Sequence, residues 1–274
     1  MKFEKANVLI TGGASGIGKI MGRMALEKGA SCLIIWDINP HNISSAVNEL
    51  SQLGKVKGYI VDVSGNELVT EAYNKVVSEC GAVDILINCA GIVTSNKTFD
   101  QISTSEIERT MSINAVGPMI VALQMLPDMV ARDSGHICTI ASAGGLIANP
   151  RMSVYAASKW AAIGWSDSGR VELQERRSKV RITTVAPYYI TTGMFDGVRS
   201  PIIPLLKPEK AAKEIIKAIE RNTNFRCIMP PIPVPYHFTR LMQGLLPSPV
   251  FDWLFGRVVG IYHTMDNFTG RKKA

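Results

Sequence analysis

Val8-Leu9-Ile10-Thr11-Gly12-Gly13-Ala14-Ser15-Gly16-Ile17-Gly18 takes an apolar, β-branched run through glycines into a helical pattern. The run reads as a strand, and the segment from Gly16 to Lys28, stopped by Gly29, reads as a helix. Glycines at 12, 16 and 18 suit a tight turn, a near approach of backbone to ligand, and a helix packed hard on a strand. A dinucleotide pyrophosphate needs such backbone N–H donors and a helix N-terminus brought close, and side chains would block that approach. Asp37 lies 19 residues beyond Gly18, at the end of Cys32-Leu33-Ile34-Ile35-Trp36. A carboxylate there can accept hydrogen bonds from adenosine ribose hydroxyls and would repel a 2′-phosphate, which favours NAD(H) over NADP(H). The bland alternative for Asp37 is a cap on the following helix.

Outward from this loop, strands and helices alternate. Further strands are expected at Gly58–Val61, Asp84–Ile87, His136–Ile140, Val180–Val185 and Phe225–Met229. Helices are expected over Ala46–Leu53, Glu67–Cys80, Ser153–Arg176 and Lys210–Arg221, with a further helix-forming stretch at Ser105–Met129. This repetition predicts an α/β fold: one doubly wound parallel sheet of about seven strands, helices on both faces. The strands are continuous apolar runs rather than alternating ones, as burial on both faces requires. Residues 1–229 read as one Rossmann-type domain and 230–274 as an apolar, proline-rich extension. That extension carries Pro230, Pro231, Pro233, Pro235, Pro247 and Pro249, with Leu241, Leu245, Leu246, Trp253, Leu254 and Phe255 around them. It reads either as packing on the core or a subunit interface, or as a lid over a lipid-like substrate or a shallow membrane contact.

Composition narrows the class. With 46% apolar and 19% charged residues and a mean hydropathy of +0.12, the chain is too apolar to be disordered. No stretch reaches the roughly 18 unbroken apolar residues of a spanning helix. The start, beginning at Met1, shows no secretory pattern. Five scattered cysteines (Cys32, Cys80, Cys89, Cys138, Cys227) lack a CxxC pair, which speaks against a disulfide framework or structural zinc and for a reducing compartment. His41, His136, His237 and His263 have no ligand spacing, so no metal is expected. The net charge of +7 is dispersed apart from Glu175–Lys179 and Arg271–Lys273, and no basic helix points to nucleic acid.

The loop spacing Thr-Gly-xxx-Gly-x-Gly resembles the short-chain dehydrogenase/reductase family. The resemblance recurs in order at Asp62-Val63, Asn88-Cys89-Ala90-Gly91, Asn114, Ser142 and Tyr155-Ala156-Ala157-Ser158-Lys159. Within the family, Leu33–Asn39, Ala141–Gly145 and the tail around Leu245-Leu246-Pro247 and Phe251-Asp252 resemble the group of retinol dehydrogenase 10, epidermal retinol dehydrogenases and 17β-hydroxysteroid dehydrogenase types 11 and 13. Those relatives carry an apolar N-terminal anchor. Its absence here leads to the expectation of a soluble, cytoplasmic, bacterial-style protein with at most a peripheral membrane contact. Two positions depart from the family pattern: Cys89 replaces its second Asn, and Pro187-Tyr188 stands where Pro-Gly is usual.

The resemblance implies cofactor contacts at Gly12, Ser15, Gly16, Ile17, Gly18, Asp37, Asp62, Val63, Asn88, Ala90 and Gly91. It extends them to Tyr155, Lys159, Pro187, Ile190 and Thr192, and it implies a homodimer or homotetramer through Ser105–Met129 and Ser153–Arg176. It also assigns the catalytic set. Tyr155 and Lys159, four apart, share a helix face, so the ammonium is expected to favour the phenolate and bring Tyr155 nearer working pH. Ser142 would hydrogen-bond the substrate oxygen, and Asn114 would anchor a water relay behind the lysine. The expected activity is hydride transfer between NAD(H) and an alcohol or carbonyl of a hydrophobic substrate of steroid, retinoid or long-chain type. Two alternatives stay open: a 3-oxoacyl or 3-ketosphinganine reductase, and a nucleotide-binding or lipid-surface protein without turnover.

Overall fold

The computed structural model of the chain describes residues 1–200, 202–228 and 236–270, with side chains left aside at 236–240. Seven strands form one parallel sheet in the order β3-β2-β1-β4-β5-β6-β7. They are β1 (Asn7–Thr11), β2 (Cys32–Asp37), β3 (Val56–Ile60), β4 (Ile85–Asn88), β5 (His136–Ile140), β6 (Arg181–Pro187) and β7 (Phe225–Ile228). The crossovers are α1 (Gly16–Glu27), α2 (Pro40–Leu50), α3 (Asn66–Cys80), α4 (Thr104–Met111), α5 (Gly117–Ala131), α6 (Ser153–Glu175) and α7 (Pro208–Glu220). The strand order reverses between β1 and β4, and in an open parallel sheet the crevice at that switch point is where a ligand sits.

Both faces of the sheet are dry, which explains the unbroken apolar runs. Val8 and Ile10 of β1 face one way, packed with Met21, Ala25, Ile43, Ile215 and Ile219 of α1, α2 and α7. Leu9 faces the other way, with Val69, Val76, Val121, Met125 and Leu173 of α3, α5 and α6. Each such side chain contributes about 1.5–3 kcal/mol of transfer free energy, so neither face can be left to water.

The boundaries shift where local capping decides them. The helix expected over Ala46–Leu53 begins at Pro40 instead, because Asn39 Oδ1 accepts the Asn42 N–H and proline occupies the first turn. Asn39 is therefore the cap, and the alternative role weighed for Asp37 falls away. The helix-forming stretch expected at Ser105–Met129 is a continuous helical run, Thr104–Ala131, with a π-helical turn at Ser112–Val116 between α4 and α5. By length and composition Thr104–Ala131 is apolar enough to cross a membrane. Here it carries that turn and buries Val121, Ala122, Met125 and Met129 against the sheet.

Met229, Pro230, Pro231, Pro233 and Pro235 of the expected last strand and extension, and Arg271–Lys273, lie outside the described residues. Beyond them come α8 (Tyr236–Leu245), α9 (Ser248–Phe251), a π-helical turn Asp252–Val258 and a short 3₁₀ turn Ile261–His263. Phe251 and Phe255 are buried and stacked at 4.5 Å, and Thr264 and Met265 are fully buried. Leu241, Leu245, Val250, Trp253 and Val258 face outward, Leu245 with 66% of its surface exposed. The extension thus docks one side on the body and presents an apolar side to solvent.

Candidate active site

At the C-terminal ends of the strands opens one cavity of ≈ 330 Å³. The glycine loop forms one wall. Gly12 has a left-handed φ of +66°, and a Cβ there would meet Ala90 Cα at 2.9 Å. A Cβ on Gly18 would sit 2.2 Å from the Gly12 carbonyl oxygen, and Gly16 takes a φ of +52°. A side chain would therefore collide at Gly12 and Gly18 and strain the backbone at Gly16. Thr11, at the end of β1, accepts the N–H groups of Cys89 and Ala90 on its Oγ1, both at 3.1 Å. That bond pins β4 beside the loop. A hydroxyl buried at a strand end was the signal for this role, and sequence reasoning passed over it.

Gly12, Ser15, Gly16, Ile17, Gly18, Asp37, Asp62, Val63, Ala90, Gly91, Pro187, Ile190 and Thr192 all line the cavity with Ser142, Tyr155 and Lys159. Asp37 Oδ2 accepts the Ala14 N–H at 3.3 Å and Oδ1 the Asn39 N–H at 3.1 Å, so its carboxylate is held at the loop. Asp62 Oδ1 accepts both the N–H and the hydroxyl of Ser64, fixing the turn into α3.

Asn88 and Asn114 stand outside the lining. Asn88 was expected at the cofactor; its amide instead donates to the Pro118 carbonyl at 3.1 Å, bracing β4 against the start of α5, and it is 2% exposed. A strand end packed against a helix leaves that side chain no route to the cleft. Asn114 sits in the π-helical turn, a device common at functional sites. Its Oδ1 accepts the Ile92 N–H and its Nδ2 donates to the Ile92 carbonyl, both at 2.8 Å. It also donates to Ser158 Oγ at 3.1 Å, and Ser158 donates to the Tyr155 carbonyl. Asn114 thus ties the chain after β4 to α6 from behind the lysine.

Tyr155, Ser158 and Lys159 share one buried face of α6, as their spacing of three and four dictates. The Ser142–Tyr155 pair meets because the 3₁₀ turn Ala143–Gly145 lies against that helix. A Cβ on Gly145 would fall 2.7 Å from the Lys159 carbonyl carbon. A Cβ on Gly144 would touch both Ser142 Oγ and the Tyr155 ring at 3.5 Å. Ser142 Oγ accepts the Gly144 N–H at 3.1 Å.

The electrostatics differ from the expectation. Burial pushes the Tyr155 phenol up to about 12, and the hydrogen bond to Ser142, not the lysine, is what favours its ionisation. Lys159 Nζ donates to the Ile140 carbonyl at 3.0 Å and lies 5.8 Å from the centre of the Tyr155 ring. Burial lowers that amine to about 8. The ammonium is thus held by a backbone carbonyl beside the face of the Tyr155 ring.

Tyr188, in the place of the family's usual glycine, needs no left-handed φ. Its N–H donates to the Ile228 carbonyl at 2.9 Å, continuing the ladder, and its hydroxyl pairs with Ser200 at 2.8 Å. Sequence reasoning missed the other half of the cavity: Leu146, Asn149, Met152, Tyr189, Phe195 and Ile261 line it. They come from loops and the extension, where no periodicity marks a side chain as inward.

The match that decides the family spans residues 6–202, against the short chain dehydrogenase model. The chain belongs to the short-chain dehydrogenases. It is an oxidoreductase of that family, in the retinol and 17β-hydroxysteroid dehydrogenase group that Leu33–Asn39 and Ala141–Gly145 pointed to. It is 34% identical over 276 residues to epidermal retinol dehydrogenase 2 of Mus musculus, covering 97% of this chain and 86% of that one. It is 32% identical over 243 residues to estradiol 17-beta-dehydrogenase 11 of Homo sapiens, covering 88% and 79%. The fold is shared with an NAD+-bound xylitol dehydrogenase, with a TM-score of 0.76 at 19% identity over 84% of this chain and 99% of that one.

Proposed function

We propose that this oxidoreductase transfers a hydride between NAD(H) and a primary or secondary alcohol, or the matching carbonyl, of a hydrophobic substrate of steroid, retinoid or long-chain type, with Tyr155 as acid and base. The observation that carries the reading is the placing of Ser142 and Tyr155 on either side of Gly144, in the same cavity as the glycine loop and with Lys159 beside them. The loop fits a dinucleotide: glycines that no side chain can replace, backbone N–H groups at the start of α1, and a fixed carboxylate at Asp37. Gly12, Ser15–Gly18, Asp37, Asp62-Val63, Ala90-Gly91, Pro187, Ile190 and Thr192 would hold it. When bound, nicotinamide supplies the hydride acceptor or donor.

The chain supplies orientation and proton transfer. In alcohol oxidation Tyr155 removes the hydroxyl proton while Ser142 holds the same oxygen and steadies its developing charge. In reduction the phenol returns that proton to the carbonyl oxygen. With the phenol pushed up to about 12, it is protonated at neutral pH and ready as an acid, so oxidation should accelerate as pH rises above neutrality. The walls Leu146, Met152, Phe195 and Ile261 are apolar, which suits a hydrocarbon body and resists a sugar.

The domain division proposed is a catalytic body through residue 229 and an extension from 230 that contributes Ile261 to the cavity. The outward apolar face of that extension, Trp253 with 59% exposed, supports a peripheral contact with a lipid surface through which such a substrate would arrive. Leu123 and Trp160, exposed on α5 and α6, support pairing of two copies there.

The test is purified protein with NAD+ and NADP+ against steroids, retinoids, long-chain alcohols and ketosphinganine, followed by reduced-nicotinamide absorbance. NAD+-linked turnover of an apolar alcohol is the expected result. Binding of dinucleotide without turnover of any of them overturns it.

A further inference from the structure

From the contacts around the cavity we infer that Tyr189 is a substrate-positioning residue: its hydroxyl fastens the C-terminal segment 261–270 to the cavity wall and so sets the chamber in which the substrate body lies. This rests on the oxidoreductase reading above and adds to it the residue that shapes the substrate end.

The segment is laced to three loops at once. Asn96 Nδ2, after β4, donates to the Met265 carbonyl at 2.8 Å. Arg151, before α6, pairs with Asp266 at 3.0 Å. After β6, the Arg199 N–H donates to the Thr264 carbonyl at 3.1 Å, and the Thr269 N–H to the Asp196 carbonyl at 2.9 Å. A Cβ on Gly197 would fall 1.9 Å from the Asn267 carbonyl oxygen, and its φ is +82°. Only glycine admits the segment there. The contact is built into the fold rather than a loose tail lying on a surface.

Tyr189 stands where this lacing meets the chemistry. Its hydroxyl lies 3.1 Å from Thr264 Oγ1 and accepts from Asn149 Nδ2 at 2.8 Å, and the same amide donates to Thr264 Oγ1 at 3.1 Å. Thr264 in turn donates to the Ile261 carbonyl at 2.8 Å, so the knot ends on the residue that lines the cavity. On its other side the Tyr189 ring meets Phe195 edge-on at 5.0 Å, and Phe195 meets Tyr155 edge-on at 6.0 Å. One phenol therefore joins the segment, the wall and the packing of the catalytic ring. Three polar groups, Thr264 buried and Tyr189 and Asn149 partly buried, close on one another beside an apolar chamber, where an unmade bond costs more than one in water.

The experiment compares the parent with Tyr189→Phe, Thr264→Val and Thr264→Ser, using 2-dodecanol and 2-butanol as probes with NAD+. Tyr189→Phe keeps the ring and removes only the knot. Its kcat/KM for 2-dodecanol relative to 2-butanol should fall about tenfold, through KM, with the pH profile of kcat unchanged. Hydrogen exchange at the Arg199 and Thr269 amides should quicken about tenfold, since both bonds depend on the segment staying docked. Thr264→Val should reproduce both effects, Thr264→Ser should restore the parent values, and the Phe–Val double variant should be no worse than either alone. Parent-like selectivity and exchange in both single variants would overturn the inference. So would an equal fall in kcat on both alcohols with a displaced pH profile, which marks a general disturbance. If the parent turns over neither alcohol, the proposed activity fails on its own, and the exchange rates still decide whether Tyr189 fastens the segment.

Discussion

At the cofactor end of the cavity the walls are backbone: Gly12 and Gly18 have no space for a side chain, Gly16 takes a left-handed φ, and Thr11 locks β4 beside them through two N–H groups. At the substrate end the walls are side chains from loops and the C-terminal segment, Asn149, Tyr189, Phe195 and Ile261 among them. The first kind of wall tolerates almost no change and can serve any dinucleotide. The second can be rebuilt residue by residue while the sheet beneath stays the same. A fold that separates the two in this way keeps one hydride chemistry and varies what receives it.

Tyr155 stands where the two ends meet, and the largest effect is expected there. Tyr155→Phe keeps the ring that Phe195 packs on and removes the proton carrier, so kcat should drop about a thousandfold while NADH binding, followed by fluorescence titration, stays at the parent value. Turnover equal to the parent would remove the catalytic assignment. The cofactor end is tested next. Gly18→Ala places a methyl 2.2 Å from the Gly12 carbonyl oxygen. The loop must open, and NADH affinity should fall about a hundredfold, as displacements near 1 Å at a bound group do. If the methyl were absorbed without loss, the backbone wall would be softer than argued. Asp37→Ala is milder. It should cost NAD about tenfold in affinity by removing a charged acceptor, and should cost NADP less, narrowing the gap between them. An unchanged preference, read from kcat/KM with each dinucleotide, would mean that another group reads the adenosine.

The same contrast explains how much was legible beforehand. The inner strands β1, β2, β4 and β5 carried apolar runs because both faces of the sheet are buried there, while the edge strands Val56–Ile60 and Phe225–Ile228 are partly exposed and gave a weaker signal. The cofactor-wall glycines were visible from their spacing. Tyr155 and Lys159 were legible as a pair from helical spacing. A family string says which residues recur, not which way a side chain turns at a strand end; the Asn88 amide turns to Pro118. Where the lysine points was likewise not written in the spacing. Spacing brings the two side chains near, but the backbone dipole of Ile140 decides where the ammonium points. Tyr189 and Asn149 were invisible for lack of any periodic signal, although Gly197 offered an indirect one: a glycine held at φ +82° against Asn267 marks a crossing of two chain segments.

The smallest effect on turnover is expected at His136, which belongs to neither end. It starts the inner strand β5, at the strand end opposite the cavity, paired in register with Ile85 and Arg181 on its two neighbours. Its Nε2 lies 2.8 Å from Thr183 Oγ1, and that hydroxyl donates to the Thr223 carbonyl at 2.6 Å, so Nε2 is the donor of the pair. Burial lowers it to about 3. An unfolded histidine titrates near pH 6.5, so between these values the unfolded chain binds a proton that the native one refuses. Stability from this group is complete above the unfolded value and drains as pH falls toward the folded one. Between about pH 6 and about pH 4.5 the loss should come to about 2 kcal/mol. His136→Gln has no such proton to take up, so its unfolding free energy, measured by urea titration across that range, should fall less steeply than the parent's, with kcat at neutral pH unchanged. Parallel curves would mean that the native site accommodates the imidazolium, and that the floor of the sheet is less dry than the packing of β5 and β6 implies.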